Sequence, residues 1–140
     1  MVGSPVPKWM NSMDADALKA FFKPYRTALE DFEPDQTRAV MKDLFAPDAT
    51  FKIFHPFGTF TGPESYLETC LVPLHEAMPD VERRDLILLA GTTAEGLDWI
   101  GCMGNYMGTF LGPFLDIPPT GILAHMRYHE YFHVKDGKIV

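Results

Sequence analysis

Two patterns of hydrophobic positions divide the chain into a helix-rich first half and a strand-rich second half. A first helix is predicted to start near Asp14, and Pro24 predicts a kink or an early end in it. Further helices are predicted from 34 to before Pro47 and from 63 to about 78. The apolar stripe that predicts the first helix consists of Leu18, Phe21, Phe22, Tyr25 and Leu29.

The rest of the chain has the aromatic and β-branched composition of strands. The segment TFKIFHPFGTF predicts a strand, a turn and a second short strand. Three longer segments of strand type follow at 81–91, 97–110 and 122–136. Helices, a hairpin, another helix and an antiparallel meander define the α+β class. A curved antiparallel sheet with helices against one face leaves room for an apolar pocket.

The two ends of the chain need separate interpretation. Pro5 and Pro7 predict that residues 1–13 form an extended N-terminal arm, followed by a single domain at 14–140. The Asp136-Gly137 turn predicts one more strand, but only Lys138, Ile139 and Val140 follow it. Because strands typically have five or six residues, we expect the last strand to be truncated or absent.

Composition and charge narrow the choice of partners. The net charge of −7, with twelve scattered Lys and Arg residues, disfavours nucleic acid and anionic membrane surfaces. Cys70 and Cys102 lack metal-binding spacing and predict buried, reduced thiols. No signal-peptide or transmembrane pattern is found, so we expect a cytoplasmic protein. The 11 Phe, 5 Tyr, 2 Trp and 8 Met fill a core or line an apolar cavity.

The strand at 122–134 carries the strongest catalytic candidate. Alternate residues of a strand share a face, and Glu130 is the one ionisable carboxylate on an apolar face that includes Met126, Tyr128 and Phe132. A carboxyl group in such a place can exchange a proton with a carbon acid or a carbonyl oxygen. The alternative is a Glu tied into a core hydrogen-bond network. The Tyr128 hydroxyl either binds a substrate carbonyl or reaches the surface from a ring that fills the core.

Three further substrate-binding candidates lie outside that strand. Trp99 and Asn105 share one face of the 97–110 segment, where Asn105 would orient a substrate oxygen among apolar neighbours. His55 is interpreted either as a donor at the pocket rim or as a turn histidine bound to local backbone. We expect no metal site, because histidines four residues apart on a strand are roughly 13 Å from each other. The three histidines that this spacing excludes as ligands of one metal ion are His125, His129 and His133.

Three segments together resemble one family. They are LFAPDATFKIFHPFGTFTGPESYL, GTFLGPFLDIPPTG and HEYFHVKDGKIV, and they resemble the SnoaL-like polyketide cyclases of the NTF2-like superfamily over about residues 35–140. The resemblance implies a cone-shaped homodimer without metal or redox cofactor. It also implies an intramolecular aldol closure with one carboxylate as acid/base. The family has an Asp nine residues after the Gly of the PPTG turn, and counting from Gly121 reaches Glu130 here.

The resemblance and the residues together support two functions. One is a cofactor-independent acid/base enzyme for a small apolar carbonyl compound, catalysing cyclisation, isomerisation or dehydration. The other is a non-catalytic binding module with the same pocket. Epoxide-hydrolysing relatives need an Asp–Arg–Asp set, which is not placed here because Arg127 is predicted on the face away from Glu130. That outer face, with its three histidines, predicts the homodimer contact.

Overall fold

A computed structural model describes residues 13–140, so the predicted arm at 1–13 lies outside the described residues except for Met13. Helix α1 (Ala15–Glu30) begins after Asp14, whose side chain accepts a hydrogen bond from the Ala17 N–H. It does not end at Pro24, and its buried side is close to the predicted stripe. Helix α2 (Pro34–Leu44) is capped by Glu33, which accepts from Asp35 and Gln36.

The third predicted helix is present but changes its hydrogen-bond pattern along its length. It consists of α3 (Pro63–Tyr66), a π-helical segment (Leu67–Leu71) and α4 (Val72–Ala77). The N–H of Val72 donates to the carbonyl of Leu67, five residues back, and the next residue, Pro73, has no N–H to donate. Proline therefore widens the helix without ending it.

The strands form a hairpin and a four-stranded antiparallel sheet. The hairpin pairs β1 (Thr50–Ile53) with β2 (Gly58–Thr61). The sheet has the order β3-β4-β5-β6, from strands β3 (Glu82–Thr92), β4 (Asp98–Thr109), β5 (Leu123–Lys135) and β6 (Lys138–Ile139). The strand expected after the 136–137 turn thus exists as two residues, and Ile139 also forms a bridge with Phe45.

The helices cover one face of this curved, unclosed sheet, which confirms the α+β fold. The core contains the buried side of α1 and the inner residues of β4 and β5, including Phe22, Ile100 and Val134. Phe132 of β5 packs on Phe22 with 4.7 Å between ring centroids. Within residues 13–140, no helix combines the length and apolarity needed to cross a bilayer.

The inner faces of the two long central strands were not predicted equally well. In β5 the predicted face points inward, with Tyr128 and Val134 buried. In β4 the face prediction was wrong, because Ile100, Cys102 and Tyr106 point inward. Trp99 and Asn105 therefore lie on the outer face of β4. Glycine explains the error, because the inner face includes Gly104 and Gly108, where close neighbours leave little room for a Cβ.

Candidate active site

A cavity of about 530 Å³ lies between the helices, the β1–β2 hairpin and the inner face of β5. Most of its lining is aromatic or aliphatic, as expected for a site that binds an organic molecule. Well-separated parts of the chain contribute, from Tyr25 in α1 to Val140, so the cavity forms only in the folded protein. The lining includes Tyr25, Phe45, Phe51, Phe57, Tyr66, Cys70, Leu74, Tyr106, Phe114, Met126, Tyr128, Glu130 and Phe132.

Glu130 lies in this lining and forms an ion pair with a buried arginine. One guanidinium nitrogen of Arg83 donates to Oε2 of Glu130 at 2.6 Å, and another donates to Oε1 at 3.2 Å. The Arg83 side chain has no exposed surface, whereas the Glu130 side chain keeps 19% exposure. The pair is bidentate, so it fixes the plane of the carboxylate while the carboxylate retains access to the cavity.

Arg83 also contacts a second carboxylate, that of Asp85. Asp85 accepts a hydrogen bond from Nε of Arg83 at 3.1 Å. It also accepts from Nε of Arg26 on α1 and from the hydroxyl of Tyr128. These contacts form a chain, Arg26–Asp85–Arg83–Glu130, in which two positive and two negative charges balance.

The pKa shifts reflect this arrangement. Burial raises the pKa of Asp85, but the hydrogen bonds from Tyr128 and Arg26 and the charge of Arg83 outweigh it and hold that pKa below its usual value. Burial acts against the charge on Arg83, yet Tyr106 and Glu130 hold its pKa above the usual value. Asp85 and Arg83 are therefore both charged near neutral pH.

The two cysteines are free and buried, as predicted. Burial raises the pKa of Cys70 and of Cys102 to about 11 in each case. Both are therefore protonated thiols near neutral pH, which makes them poor nucleophiles.

The structure brings together four of the seven predicted site residues. Met126, Tyr128, Glu130 and Phe132 line the cavity. The hydroxyl of Tyr128 donates to Asp85, so it does not point at a substrate as one interpretation expected.

The other three candidates lie elsewhere. His55 is exposed in the turn between β1 and β2 and is not part of the lining, although Phe54 and Phe57 of the same turn are. Trp99 and Asn105 are on the outer face of β4, where the Trp99 ring stacks on His133. Their assignment to a substrate pocket does not agree with this placement.

Sequence reasoning missed Arg83 and Asp85. A sequence signal for these two residues was present. Residues two apart on a strand share a face, and Arg83-x-Asp85 lies near the start of the predicted strand segment 81–91. The register then places Asp85 beside Gly104, and Gly104 beside Tyr128. The acid–Arg–acid set that could not be placed from Arg127 therefore exists as Asp85–Arg83–Glu130.

The fold and this cavity define an α+β protein of the NTF2-like class with a ligand-sized interior. Residues 23–140 match the model of the family described as SnoaL-like polyketide cyclase. The chain belongs to this SnoaL-like polyketide cyclase family, and membership supports a cyclase-type role in general terms.

Solved structures agree on the fold. A putative SnoaL-like polyketide cyclase from Jannaschia sp. CCS1 is 24% identical, with a TM-score of 0.66 and coverage of 86% of this chain and 81% of that one. IdmH, a putative polyketide cyclase from Streptomyces antibioticus, is 22% identical, with a TM-score of 0.64 and coverage of 87% and 86%. AclR, a putative hydroxylase from Streptomyces galilaeus, is 18% identical, with a TM-score of 0.67 and coverage of 87% and 69%. Comparison with curated proteins finds no significant match.

Proposed function

We propose that this protein is a cofactor-independent acid/base enzyme that closes a ring in a small, apolar carbonyl compound by an intramolecular aldol reaction. Glu130 is the acid/base group. The observation that carries the proposal is its place, because among the described residues that line the cavity Glu130 is the only carboxylate side chain. Arg83 holds it at both oxygens, so the carboxylate meets the substrate in one orientation.

The chemistry needs a single group that first accepts and then returns a proton. Glu130 takes the proton from the carbon next to a carbonyl group, and the C–H electron pair forms the C=C bond of an enolate. The enolate carbon attacks a second carbonyl carbon of the same molecule and a C–C bond forms. The resulting alkoxide takes the proton back from Glu130. Product and substrate have the same atoms, so no co-reactant is consumed.

Substitution of Glu130 by Gln tests this role. The amide keeps the size of the side chain and an oxygen that accepts from Arg83, but it cannot take a proton. With a β-keto ester substrate found by screening, we expect turnover to fall by about 10²- to 10⁴-fold while the fold is retained. Glu82→Gln is the matched control, because Glu82 is exposed and pairs with the exposed Arg84. Full activity of Glu130→Gln would end the acid/base assignment.

A non-catalytic binding module remains the alternative, since the same cavity can hold a ligand without converting it. The same variant separates the two functions. In a binding module, Glu130→Gln changes only the affinity for ligands that touch that side chain. In an enzyme it lowers the rate while binding persists. Isomerisation or dehydration of a carbonyl compound would use the same group and would be distinguished by the product.

Hydrolysis of an epoxide is a second candidate, favoured by the Asp85–Arg83–Glu130 set. Glu130 would activate a water and Asp85 would have to protonate the epoxide oxygen. Ring closure is preferred because Asp85 does not line the cavity and its side chain is only 3% exposed. Incubation of aryl epoxides in ¹⁸O-labelled water tests the candidate, since hydrolysis would place the label in a diol.

A further inference from the structure

Two tyrosines enter the cavity from the helical side, opposite the sheet that carries Glu130. Tyr25 comes from the middle of α1 and is 1% exposed. Tyr66 comes from the end of α3, where its ring stacks on Phe51 with 4.8 Å between centroids. Both line the same cavity as Glu130.

The hydroxyls of these two tyrosines differ from the other phenols of the site in their bonding. The Tyr106 hydroxyl accepts from Arg83 at 2.7 Å, and the Tyr128 hydroxyl donates to Asp85. No hydrogen bond from Tyr25 or Tyr66 is found to any residue within 13–140. No buried side-chain oxygen in that range is left unsatisfied either, so both hydroxyls reach open space, which for these lining residues is the cavity.

The two hydroxyls, although unbonded, lie in the electric field of the acid/base group. Burial raises the pKa of Tyr25, and the charge of Glu130 and the phenol of Tyr106 raise it further. Burial likewise raises the pKa of Tyr66, and the neighbouring Tyr25 and the charge of Glu130 raise it further. Both phenols are therefore neutral donors. Within residues 13–140 Glu130 accepts side-chain hydrogen bonds from Arg83 alone, so no direct hydrogen bond links it to either phenol.

We propose that the hydroxyls of Tyr25 and Tyr66 together bind the oxygen of the substrate's enolising carbonyl, facing the carboxylate of Glu130. The site thus selects a flat, largely apolar molecule with an enolisable ketone or β-keto ester group. This role in catalysis rests on the proposed function, whereas the oxygen-binding site itself does not.

The arrangement fits the charge movement of the reaction. When Glu130 takes the proton, negative charge leaves the carboxylate and appears on the carbonyl oxygen. Two preorganised donors at that oxygen stabilise the enolate more than the neutral ketone. A hydrogen bond to a charged oxygen is stronger than one to a neutral oxygen, so their contribution is largest after proton transfer.

The site can be tested by binding alone, with 4-nitrophenolate as the probe. Its charged oxygen on a flat ring resembles an enolate, and its absorbance distinguishes the ionised from the neutral form. We expect the intact protein to bind the ionised form. Tyr25→Phe and Tyr66→Phe each keep the ring and remove one donor, so each should weaken binding by about 10-fold or more. Thr59→Val is the matched control, because it also removes one hydroxyl, and Thr59 is exposed on β2 and does not line the cavity.

Glu130→Gln gives the opposite expectation. The amide resembles the protonated carboxyl group that faces the enolate, so nitrophenolate binding should tighten. Unchanged affinity in both Tyr25→Phe and Tyr66→Phe, or no binding by the intact protein, would overturn the inference. Thermal unfolding of each variant verifies that the fold is retained. If Glu130→Gln keeps full turnover while the tyrosine variants lose affinity, the acid/base proposal fails and the oxygen site stands.

Discussion

The guanidinium group of Arg83 lies against the ring of Tyr128, with 3.8 Å between Cζ and the ring centroid. The hydroxyl of the same tyrosine donates to Asp85, which in turn accepts from Nε of Arg83. Tyr128 therefore covers the arginine and also orients its second carboxylate partner. Tyr128 thus supports Glu130 through Arg83, and its hydroxyl takes neither of the two places that the sequence suggested, a substrate carbonyl or the surface.

The first prediction concerns the stability that Arg83 provides. Arg83→Met leaves Asp85 and Glu130 without their shared cation, and Asp85 is almost completely buried. Removing one partner from a buried ion-pair network costs about 3–5 kcal/mol, so the free energy of unfolding should fall by that order. Urea unfolding monitored by fluorescence measures the change.

The neighbouring residue supplies the control for this prediction. Arg84 is 63% exposed and pairs with Glu82, which is 64% exposed. Because exposed ion pairs contribute little, Arg84→Met should change the free energy of unfolding by less than about 1 kcal/mol. Equal effects of the two substitutions would show that the buried network does not stabilise the fold.

The sequence predicted the site unevenly, and the reasons are physical. In β5 the inward positions are apolar or aromatic except for Glu130, so Glu130, Tyr128 and Phe132 are predicted on the correct face. In β4 the inward positions include Gly104 and Gly108, and glycine carries no hydrophobic signal to mark a face. The opposite face of β4 carries the large Trp99 and two methionines, so its stronger hydrophobic signal led to the wrong face being predicted as inward.

The charges of the site could not be predicted from hydrophobic pattern. In the sequence, Arg83 and Asp85 have the character of charged surface residues. Their partners come within hydrogen-bond distance only through the register of three strands and through one arginine from α1. Tyr25 was assigned correctly to a buried helix stripe. Its place in the cavity wall depends on how α1 packs on the sheet, which the local sequence does not specify.

The second prediction concerns the outer face of the sheet, where we propose that a second copy of the chain packs. The predicted polar residues His125, Arg127 and His129 are exposed there. Large apolar side chains are exposed beside them, with Leu89 at 63% and Tyr131 at 74%. A contiguous apolar area of this kind is typical of an interface.

Substitution of Leu89 by Glu tests the dimer. Light scattering at micromolar concentration should give a dimer mass for the intact protein and a monomer mass for Leu89→Glu, because a buried unpaired charge is costly. Leu111→Glu is the control, since Leu111 is equally hydrophobic and 57% exposed but follows β4 outside this face. A monomer mass for the intact protein would refute the proposal.

The third prediction is a dependence of stability on pH that is due to His75. Burial lowers the pKa of His75, although a hydrogen bond to the carbonyl of Leu71 opposes the shift. The histidine ring also stacks on Phe32 with 3.7 Å between centroids. The unfolded chain therefore binds the proton first as the pH falls, and the free energy of unfolding decreases from about pH 6.5 downward through the lower folded pKa.

His75→Phe isolates this contribution, because phenylalanine keeps a ring beside Phe32 but cannot titrate. Chemical unfolding of both proteins should be measured at several pH values on either side of 6.5, the usual pKa of histidine. The intact protein should lose more stability on acidification than His75→Phe does. Parallel pH profiles for the two proteins would contradict the prediction.

The last prediction concerns Gly104, which lets Tyr128 reach Asp85. A Cβ at this position would overlap the Tyr128 hydroxyl and the carbonyl oxygen of Arg84, so Gly104→Ala should lower the free energy of unfolding by about 1–3 kcal/mol. Gly91→Ala is the matched control on β3, because a Cβ there has no atom within 4 Å. In a Tyr128→Phe background the hydroxyl part of the clash is absent, and the cost of Gly104→Ala should be smaller. An undiminished cost in that background would show that the clash is with the Arg84 carbonyl and the aromatic ring rather than with the hydroxyl, and that Gly104 does not serve the Tyr128–Asp85 contact.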